Sequence, residues 1–332
     1  MSASLASVLE DVAGPNDEQI GVKTWLDTGF PPLNLALSAS YSDGLPVGRI
    51  VEMFGPESCG KTAIATRAMI AAQQAGGLAI FEDHEHAFDP SLAEELGLDL
   101  ENQWVYKAPE TFEQSTTRVS KIIREVRDNN AIAPEAPIIA VFDSLASMIP
   151  QSKFAKDIDE QGMNDSLALA KACSAVFPTL AGLARKYNTL MLFLNQEREK
   201  PGVMFGPNLT TPGGRAPKFY ASVRIQLART QLTEGKGREQ KFLGQEIYAN
   251  VVKNKVAPPF KKAVWRFMFR EDGTGYFDVT TSLIDYLIEI GVIKKKGSRI
   301  EWGGKSHFKS QVVELIDKNG LQDKLFELLP KS

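Results

Sequence analysis

Gly55-Pro56-Glu57-Ser58-Cys59-Gly60-Lys61-Thr62 places two glycines, a lysine and a threonine at the spacing G-x-x-x-x-G-K-[ST]. Residues of these types at this spacing cradle phosphates. The glycines let backbone N–H groups turn inward around phosphate oxygens, and the helix that follows from Thr62 adds the favourable end of its dipole. Lys61 can then reach terminal phosphates, while the Thr62 hydroxyl can coordinate Mg²⁺. Such a cation also needs an acidic residue at the end of a neighbouring strand, and the apolar run Ile138–Phe142 delivers Asp143 there. Hydrolysis further needs a group that orients and deprotonates water. Phe81-Glu82-Asp83-His84-Glu85-His86 ends another apolar run, and Glu85 is the candidate. If this segment is extended, Asp83 and Glu85 share one face and His84 and His86 the other. That alternation splits the ligands a transition metal would want. Cys59, inside the loop, reads as a small side chain that fits, although a helix N-terminus can favour a thiolate.

Positioning these groups requires strands that end together. Arg49–Phe54, Leu78–Glu82, Ile138–Phe142 and Leu190–Leu194 read as strands buried on both faces. Between them, Thr62–Gln74 is alanine-rich and free of Gly and Pro. Val119, Ile122, Ile123 and Val126 mark the apolar stripe of a second helix, and Leu167–Arg185 forms a third, with Cys173 packed inside. Strands alternating with helices of these lengths predict an α/β fold with a mostly parallel central sheet and helices on both faces. Ligands of such sheets bind beyond the carboxyl ends of the strands. Val223–Ala228, Ile247–Val252 and Val264–Phe269 read as further strands, joined by polar turns such as Glu234–Gly237. After Gly275 two helical stripes follow (Leu283, Ile284, Leu287, Ile288 and Phe308, Val312, Val313, Ile316), predicting a small α+β domain over about the last sixty residues. At the other end, Leu5, Val8, Leu9 and Val12 predict a short amphipathic helix. It either packs on its own domain or docks on a neighbouring subunit.

The chain has 332 residues, 43% of them apolar and 24% charged, with a net charge of −3. No global positive field announces a nucleic-acid partner, so any DNA site must be a local concentration of basic residues. No basic leader followed by an apolar stretch opens the chain, and no apolar run is long enough to span a bilayer. Two cysteines, Cys59 and Cys173, suit a reducing compartment. The expectation is a cytoplasmic protein with no membrane partner.

The stretch Gly44-Leu45-Pro46-Val47-Gly48-Arg49-Ile50-Val51-Glu52, running into the phosphate loop, resembles the bacterial RecA-type recombinase family. So do Glu85-His86-Ala87-Phe88-Asp89-Pro90, Asp143-Ser144 and Gly202-Val203-Met204-Phe205-Gly206. Lys218-Phe219-Tyr220-Ala221-Ser222-Val223-Arg224 and Val251-Val252-Lys253-Asn254-Lys255 follow in matching order and spacing. The likeness is strong over roughly residues 24–270 and looser beyond. It implies an N-terminal polymerisation arm over 1–23, an ATPase core over 24–272 and a C-terminal domain over 273–332. It also implies a DNA-dependent ATPase that forms a helical filament on single-stranded DNA and catalyses homologous pairing and strand exchange in recombination and repair.

Roles follow residue by residue from that resemblance. ATP would lie on residues Gly55 through Ala63 with Asp89. Thr62 and Asp143 would serve Mg²⁺, and Glu85 would activate water. Gln196 would sense the γ-phosphate and pass its state to the following loop. Lys253 and Lys255 would reach ATP bound by an adjacent subunit, with Lys218, Phe219 and Arg224 in the same interface. DNA would lie against loops Lys156–Ser166 and Glu197–Gly213, contacted by Lys171, Arg198, Lys200, Thr211, Gly213, Gly214 and Arg215. Mediator and single-strand-binding proteins are further partners the family implies.

Several residues depart from the family pattern. Ser91-Leu92 follows Asp89-Pro90 where the family stacks an aromatic on adenine, and the first DNA loop carries Asp157, Asp159 and Glu160. Pro201 and Pro212 stiffen the second loop and remove donors. The chain stops at Leu329-Pro330-Lys331-Ser332, without the usual acidic tail; together these features suit a phage-encoded relative. Lys294, Lys295, Lys296, Arg299, Lys305 and Lys309 form a basic cluster that fits duplex capture or a solvated surface. Two other functions share many of these motifs: a single-strand-coating mediator without exchange, and a ring motor built on the same core. The lysines near Lys253 and the two flanking segments match recombinases better than ring motors.

Overall fold

A computed structural model describes residue 12 and residues 21–160, 167–199, 209–235, 237, 240–272 and 274–331. The expected arm helix therefore lies outside the described residues except for Val12. A short ribbon of β1 (Trp25–Leu26) and β2 (Leu45–Pro46) brackets α1 (Pro31–Ser38). The body alternates β3 (Ile50–Phe54), α2 (Lys61–Gln74), β4 (Leu78–Asp83), α3 (Pro90–Glu95), β5 (Trp104–Lys107), α4 (Phe112–Asp128) and β6 (Ile138–Asp143). It continues through α5 (Gln151–Phe154), α6 (Ala168–Lys186) and β7 (Thr189–Asn195). A second small ribbon, β8 (Arg198–Glu199) with β9 (Leu209–Thr210), precedes α7 (Ala216–Tyr220). Then come β10 (Val223–Glu234), β11 (Lys241–Asn254), β12 (Lys262–Phe269) and β13 (Gly275–Asp278).

The main sheet has nine strands in the order β13-β12-β11-β10-β3-β7-β6-β4-β5. From β10 to β5 every neighbouring pair is parallel, and from β10 to β13 every pair is antiparallel. The mostly parallel sheet is thus as expected. Its strands feed two cores in alternation. Val51, Met53, Ile139 and Val141 pack with Ile64, Ala68 and Met69 of α2 on one face. Ile50, Ile138, Ala140 and Phe142 pack with Val119 and Ile123 of α4 and Phe177 of α6 on the other. Each such fully buried Val, Ile, Met or Phe side chain contributes about 1.5–3 kcal/mol.

Caps set the helix boundaries. Thr111 Oγ1 accepts from the Gln114 amide at 3.1 Å to open α4, where Glu113 also lies in the first turn. In α6 Pro178 sits on the exposed face, where water can hydrate the carbonyl it leaves unbonded.

The hairpin β10–β11 is longer than its apolar pattern predicts. Its outer half is exposed or half-buried along β10 and at the Lys241–Leu243 end of β11, and is held by cross-strand pairing from Arg229↔Ile247 to Glu234↔Lys241, so hydrophobicity does not mark it. The edge strand β5 is only half covered and escapes the same signal. Beyond β13, α8 (Val279–Glu289), β14 (Lys295–Lys296), β15 (Arg299–Trp302), β16 (Lys305–Phe308), α9 (Lys309–Asn319) and α10 (Gln322–Phe326) enclose a third apolar cluster, including Leu283, Leu287, Ile300, Val312 and Ile316. Asp278 caps α8 through the Thr281 amide at 3.0 Å. This unit is joined to the sheet body by the Ser282 Oγ–Arg266 amide bond at 2.9 Å and by the Tyr41–Tyr286 hydroxyl pair at 2.7 Å.

Candidate nucleotide site

The loop after β3 turns into α2 through Gly60, whose φ of +79° is in the left-handed region that glycine adopts without strain. A Cβ there would also lie 2.9 Å from Ile247 Cδ1. Lys61 is buried at the helix start, and its ammonium donates to the Gly55 carbonyl at 3.2 Å and the Pro56 carbonyl at 2.7 Å. Cys59 is fully buried beneath the loop. Burial pushes its thiol up despite the nearby Lys61 charge, so it is a packing residue and not a thiolate.

Thr62 Oγ1 donates to Asp143 Oδ2 at 2.8 Å. Two hard oxygen groups from different elements thus meet at the carboxyl ends of the strands, a donor set that suits Mg²⁺. Burial pushes the Asp143 carboxyl up to about 7, against the Thr62 hydrogen bond, with the Glu85 and Asp83 charges adding to the rise. The folded value exceeds the ordinary carboxylate value, so the folded chain holds this proton more tightly than the unfolded one. This group's contribution to stability is therefore lost as pH rises from the carboxylate range through about 7. A cation held by Thr62 and Asp143 would favour the ionised form, so any stabilisation of the fold by Mg²⁺ should grow as pH passes upward through about 7. Thermal unfolding with and without Mg²⁺ across that range checks this, and a pH-independent increment would remove Asp143 from the cation site.

Glu85 reaches the same place by a turn, contrary to the extended alternation expected from sequence. Strand β4 stops at Asp83, whose Oδ1 accepts from the Glu85 amide at 3.1 Å and Oδ2 from the Phe88 amide at 3.1 Å. An aspartate that captures the backbone N–H two residues on bends the chain, so Asp83 and Glu85 do not share a strand face. The Asp143 carbonyl accepts from the amides of both His84, at 2.6 Å, and Glu85, at 3.2 Å, fixing the turn to the end of β6. His84 is buried and burial lowers it to about 4, so its ring is neutral at physiological pH; His86 is exposed. Glu85 Oε1 accepts from Gln196 Nε2 at 3.2 Å, from Ser147 Oγ at 3.4 Å and from the Ser144 hydroxyl. The carboxylate and the residue expected to sense the γ-phosphate are therefore in direct contact.

A cavity of about 480 Å³ joins Lys61, Thr62, Glu85, Asp143 and Gln196. Leu92 lines it as well. Asp89 caps α3 through the Leu92 amide at 3.1 Å, which sets Leu92 in place. Sequence reading missed three wall residues: Gln245 of β11 and Phe267 and Phe269 of β12. They sit on antiparallel strands distant in sequence, and two aromatics in a strand read simply as core. Arg229 of β10 reaches the same loop, donating to the Glu57 carbonyl at 3.2 Å.

Lys253 and Lys255 do not line this cavity. Lys253 Nζ donates to the carbonyls of Lys218 at 2.7 Å and Phe219 at 2.9 Å, ending α7, while Lys255 lies 5.6 Å from the Phe219 ring centre. Burial, then Lys255 and Arg224, lower Lys253 to about 8. Phe219 is 67% exposed, an unusual position for a phenyl ring. Arg224 is mostly buried against the Phe54 ring and paired with Glu52 at 2.6 Å, and Lys218 Nζ donates to Thr210 Oγ1 at 2.7 Å.

Of the expected DNA contacts, Lys171, Arg198 and Arg215 are exposed, whereas Thr211 is buried. Gly213, at φ +89°, packs where a Cβ would lie 2.9 Å from Leu145 and Pro217. Gly214 packs on Ala170 of α6, which also carries Lys171. The second loop is not structureless throughout, since Arg198↔Thr210 and Glu199↔Leu209 pair at its base. Lys200, Pro201, the 202–206 stretch and residues 161–166 of the first loop lie outside the described residues.

The RecA N-terminal domain model matches residues 14–274. Protein RecA of Bacteroides thetaiotaomicron is 42% identical over 282 residues, 85% of this chain and 77% of its own length. Protein RecA of Rubrobacter xylanophilus is 41% identical over 280 residues, 84% of this chain and 74% of its own. That of Clostridium tetani is 37% identical over 303 residues, 90% of this chain and 80% of its own. A RadB recombinase crystal structure covers 75% of this chain and 97% of its own at 18% identity, with a TM-score of 0.48, too low to carry an argument. With the phosphate loop, Asp143, Glu85 and Gln196 gathered at one end of a parallel sheet, the chain belongs to the RecA family of DNA-dependent ATPases and DNA strand-exchange recombinases.

Proposed function

We propose that this chain forms a helical filament on single-stranded DNA, with ATP and Mg²⁺ bound in the Lys61 cavity and Lys253 and Lys255 completing the site from the adjacent subunit. The observation that carries this reading is the contact of Gln196 with Glu85, because it puts the group that would sense the terminal phosphate on the group that would take the proton from water. Lys61 would bind the terminal phosphates as they displace its contacts with the loop carbonyls. Thr62 and Asp143 would hold Mg²⁺, which supplies charge neutralisation on the phosphates when bound. Glu85 would orient water and accept its proton, and Gln196 would follow the γ-phosphate. Phe219 and the two lysines stand clear of their own cavity, which supports their working across a subunit boundary. Assembly and ATP binding then reinforce each other, since a ligand shared by two subunits stabilises the assembled state.

DNA would lie along Arg198, Lys200, Thr211, Gly213, Gly214, Arg215 and Lys171, bound with little sequence preference and strong salt dependence. The arm over 1–23, core over 24–272 and C-terminal domain over 273–332 divide these tasks. A cytoplasmic setting and partnership with mediator and single-strand-binding proteins complete the reading. Among the described residues no helix is long and apolar enough to cross a membrane.

Lys294, Lys295, Lys296, Arg299 and Lys305 surround one open pocket, consistent with capture of duplex DNA during the homology search. The test measures ATP hydrolysis with and without single-stranded DNA, strand exchange, and affinity for both DNA forms. Wild type should be stimulated by single strands and exchange them. Charge reversal at Lys294–Lys296 should weaken duplex capture and spare single-strand binding. DNA binding without exchange would shift the reading to a coating mediator, and an unchanged duplex affinity would sink the role of the lysines.

A further inference from the structure

We propose that Asn195, anchored by the buried carboxylate of Glu52, is a positioning residue that transmits the state of Gln196 to the base of the second DNA loop. This rests on the proposed role of Gln196 and extends it to groups that touch neither nucleotide nor DNA. Glu52 stands in the middle of β3, 1% exposed, between the apolar residues Val51 and Met53. A carboxylate there has to be fully satisfied to be tolerated. It is: Oε2 accepts from Arg224 Nε at 2.6 Å, directly across on β10, and Oε1 accepts from Asn195 Nδ2 at 2.9 Å.

Asn195 is itself completely buried at the end of β7. Its Nδ2 also donates to the Pro212 carbonyl at 3.2 Å, and its Oδ1 accepts from the Gln196 amide at 2.9 Å. One side-chain amide therefore holds the backbone of the sensor residue and the backbone where the second loop returns to the body. The start of the loop is tied as well, by Gln226 Nε2 to Glu197 Oε1 at 2.7 Å. Gln196 lies between these ties with its own side chain on Glu85. Moving Gln196 off Glu85 by rotating the 195–196 peptide breaks its amide bond to Asn195, and the Asn195 amide then cannot keep its bonds to Glu52 and Pro212 in the same geometry. Gly213, packed against Leu145 and Pro217, leaves little slack to absorb that shift beyond Pro212. The two-stranded base carrying Arg198 and Thr210 must respond.

The test compares Asn195→Ala with wild type for single-stranded DNA affinity in a non-hydrolysable ATP analogue and in ADP, and for the KM of ATP. Wild type should bind DNA more tightly with the ATP analogue. Coupling of this kind spans about 5–150-fold, and the variant should lose most of that ratio while its KM changes by less than about twofold. A merely structural role would lower both affinities together and leave their ratio intact. Asn195→Ser guards against loss of folding: thermal unfolding establishes that it is folded, and its ratio should collapse likewise. A folded variant with the wild-type ratio overturns the role of Asn195 alone. Absence of any ratio in wild type overturns the nucleotide-sensing reading of Gln196 together with it.

Discussion

Lys61→Ala should lose ATP hydrolysis by about 10²–10³-fold, the cost of removing one preorganised donor from a site where negative charge concentrates. Strand exchange should disappear with it, because in the proposed reading the filament that exchanges strands depends on bound ATP. Lys61 enters α2 in its first turn, and its ammonium already lies within hydrogen-bond reach of the Gly55 and Pro56 carbonyls, at the centre of the phosphate loop. Alanine keeps the helix and removes the charge together with those two bonds. Steady-state hydrolysis and strand exchange on the same preparation are the measurement, with thermal unfolding to show that the loop change has not unfolded the chain. A folded variant that still exchanged strands would mean that this lysine does not hold the nucleotide that drives exchange.

Glu85→Gln should slow hydrolysis by about 10²–10⁴-fold, the range for losing a positioned general base, and leave single-stranded DNA binding in the presence of ATP intact. The substitution is close to isosteric. A glutamine carbonyl oxygen at the same place can still accept from Ser144, Ser147 and Gln196, so the turn set by Asp83 persists while proton acceptance is lost. If the chain forms the proposed filament and turnover releases it, filaments of this variant should also persist longer on DNA. Single-turnover hydrolysis beside a DNA-binding titration separates the two properties. Loss of both together would count against Glu85 as the base and make it a structural support for Gln196.

The parts of the site legible in sequence are those whose chemistry is local. Residues Gly55 to Thr62 act through backbone turns and one helix start, all within eight consecutive residues. Asp143 was legible because a buried parallel strand is a continuous apolar run, and the first polar residue after it falls at the ligand end of the sheet. Glu85 lines the cavity, but not by the strand alternation that the sequence suggests. Strand alternation predicts faces only while the strand lasts, and Asp83 ends it by capturing the amides of Glu85 and Phe88. Asp89, expected on the nucleotide, caps a short helix, and so bears on the cavity by placing Leu92.

Residue order and spacing alone determined the family, the parallel core and the candidates for the phosphate, metal and water-activating groups, because each depends on neighbours a few residues away or on the period of burial. Only the tertiary structure decided which distant strands complete the cavity wall, bringing Gln245, Phe267 and Phe269 to face the phosphate loop. It alone put Gln196 on Glu85 and joined Glu52 to Asn195 and Arg224 across three adjacent strands. These contacts depend on strand order and register, and in this sheet the chain visits β7 and β10 on either side of β3 only after more than a hundred residues. No local pattern encodes such adjacency; it follows from how the two cores pack on opposite faces of one sheet.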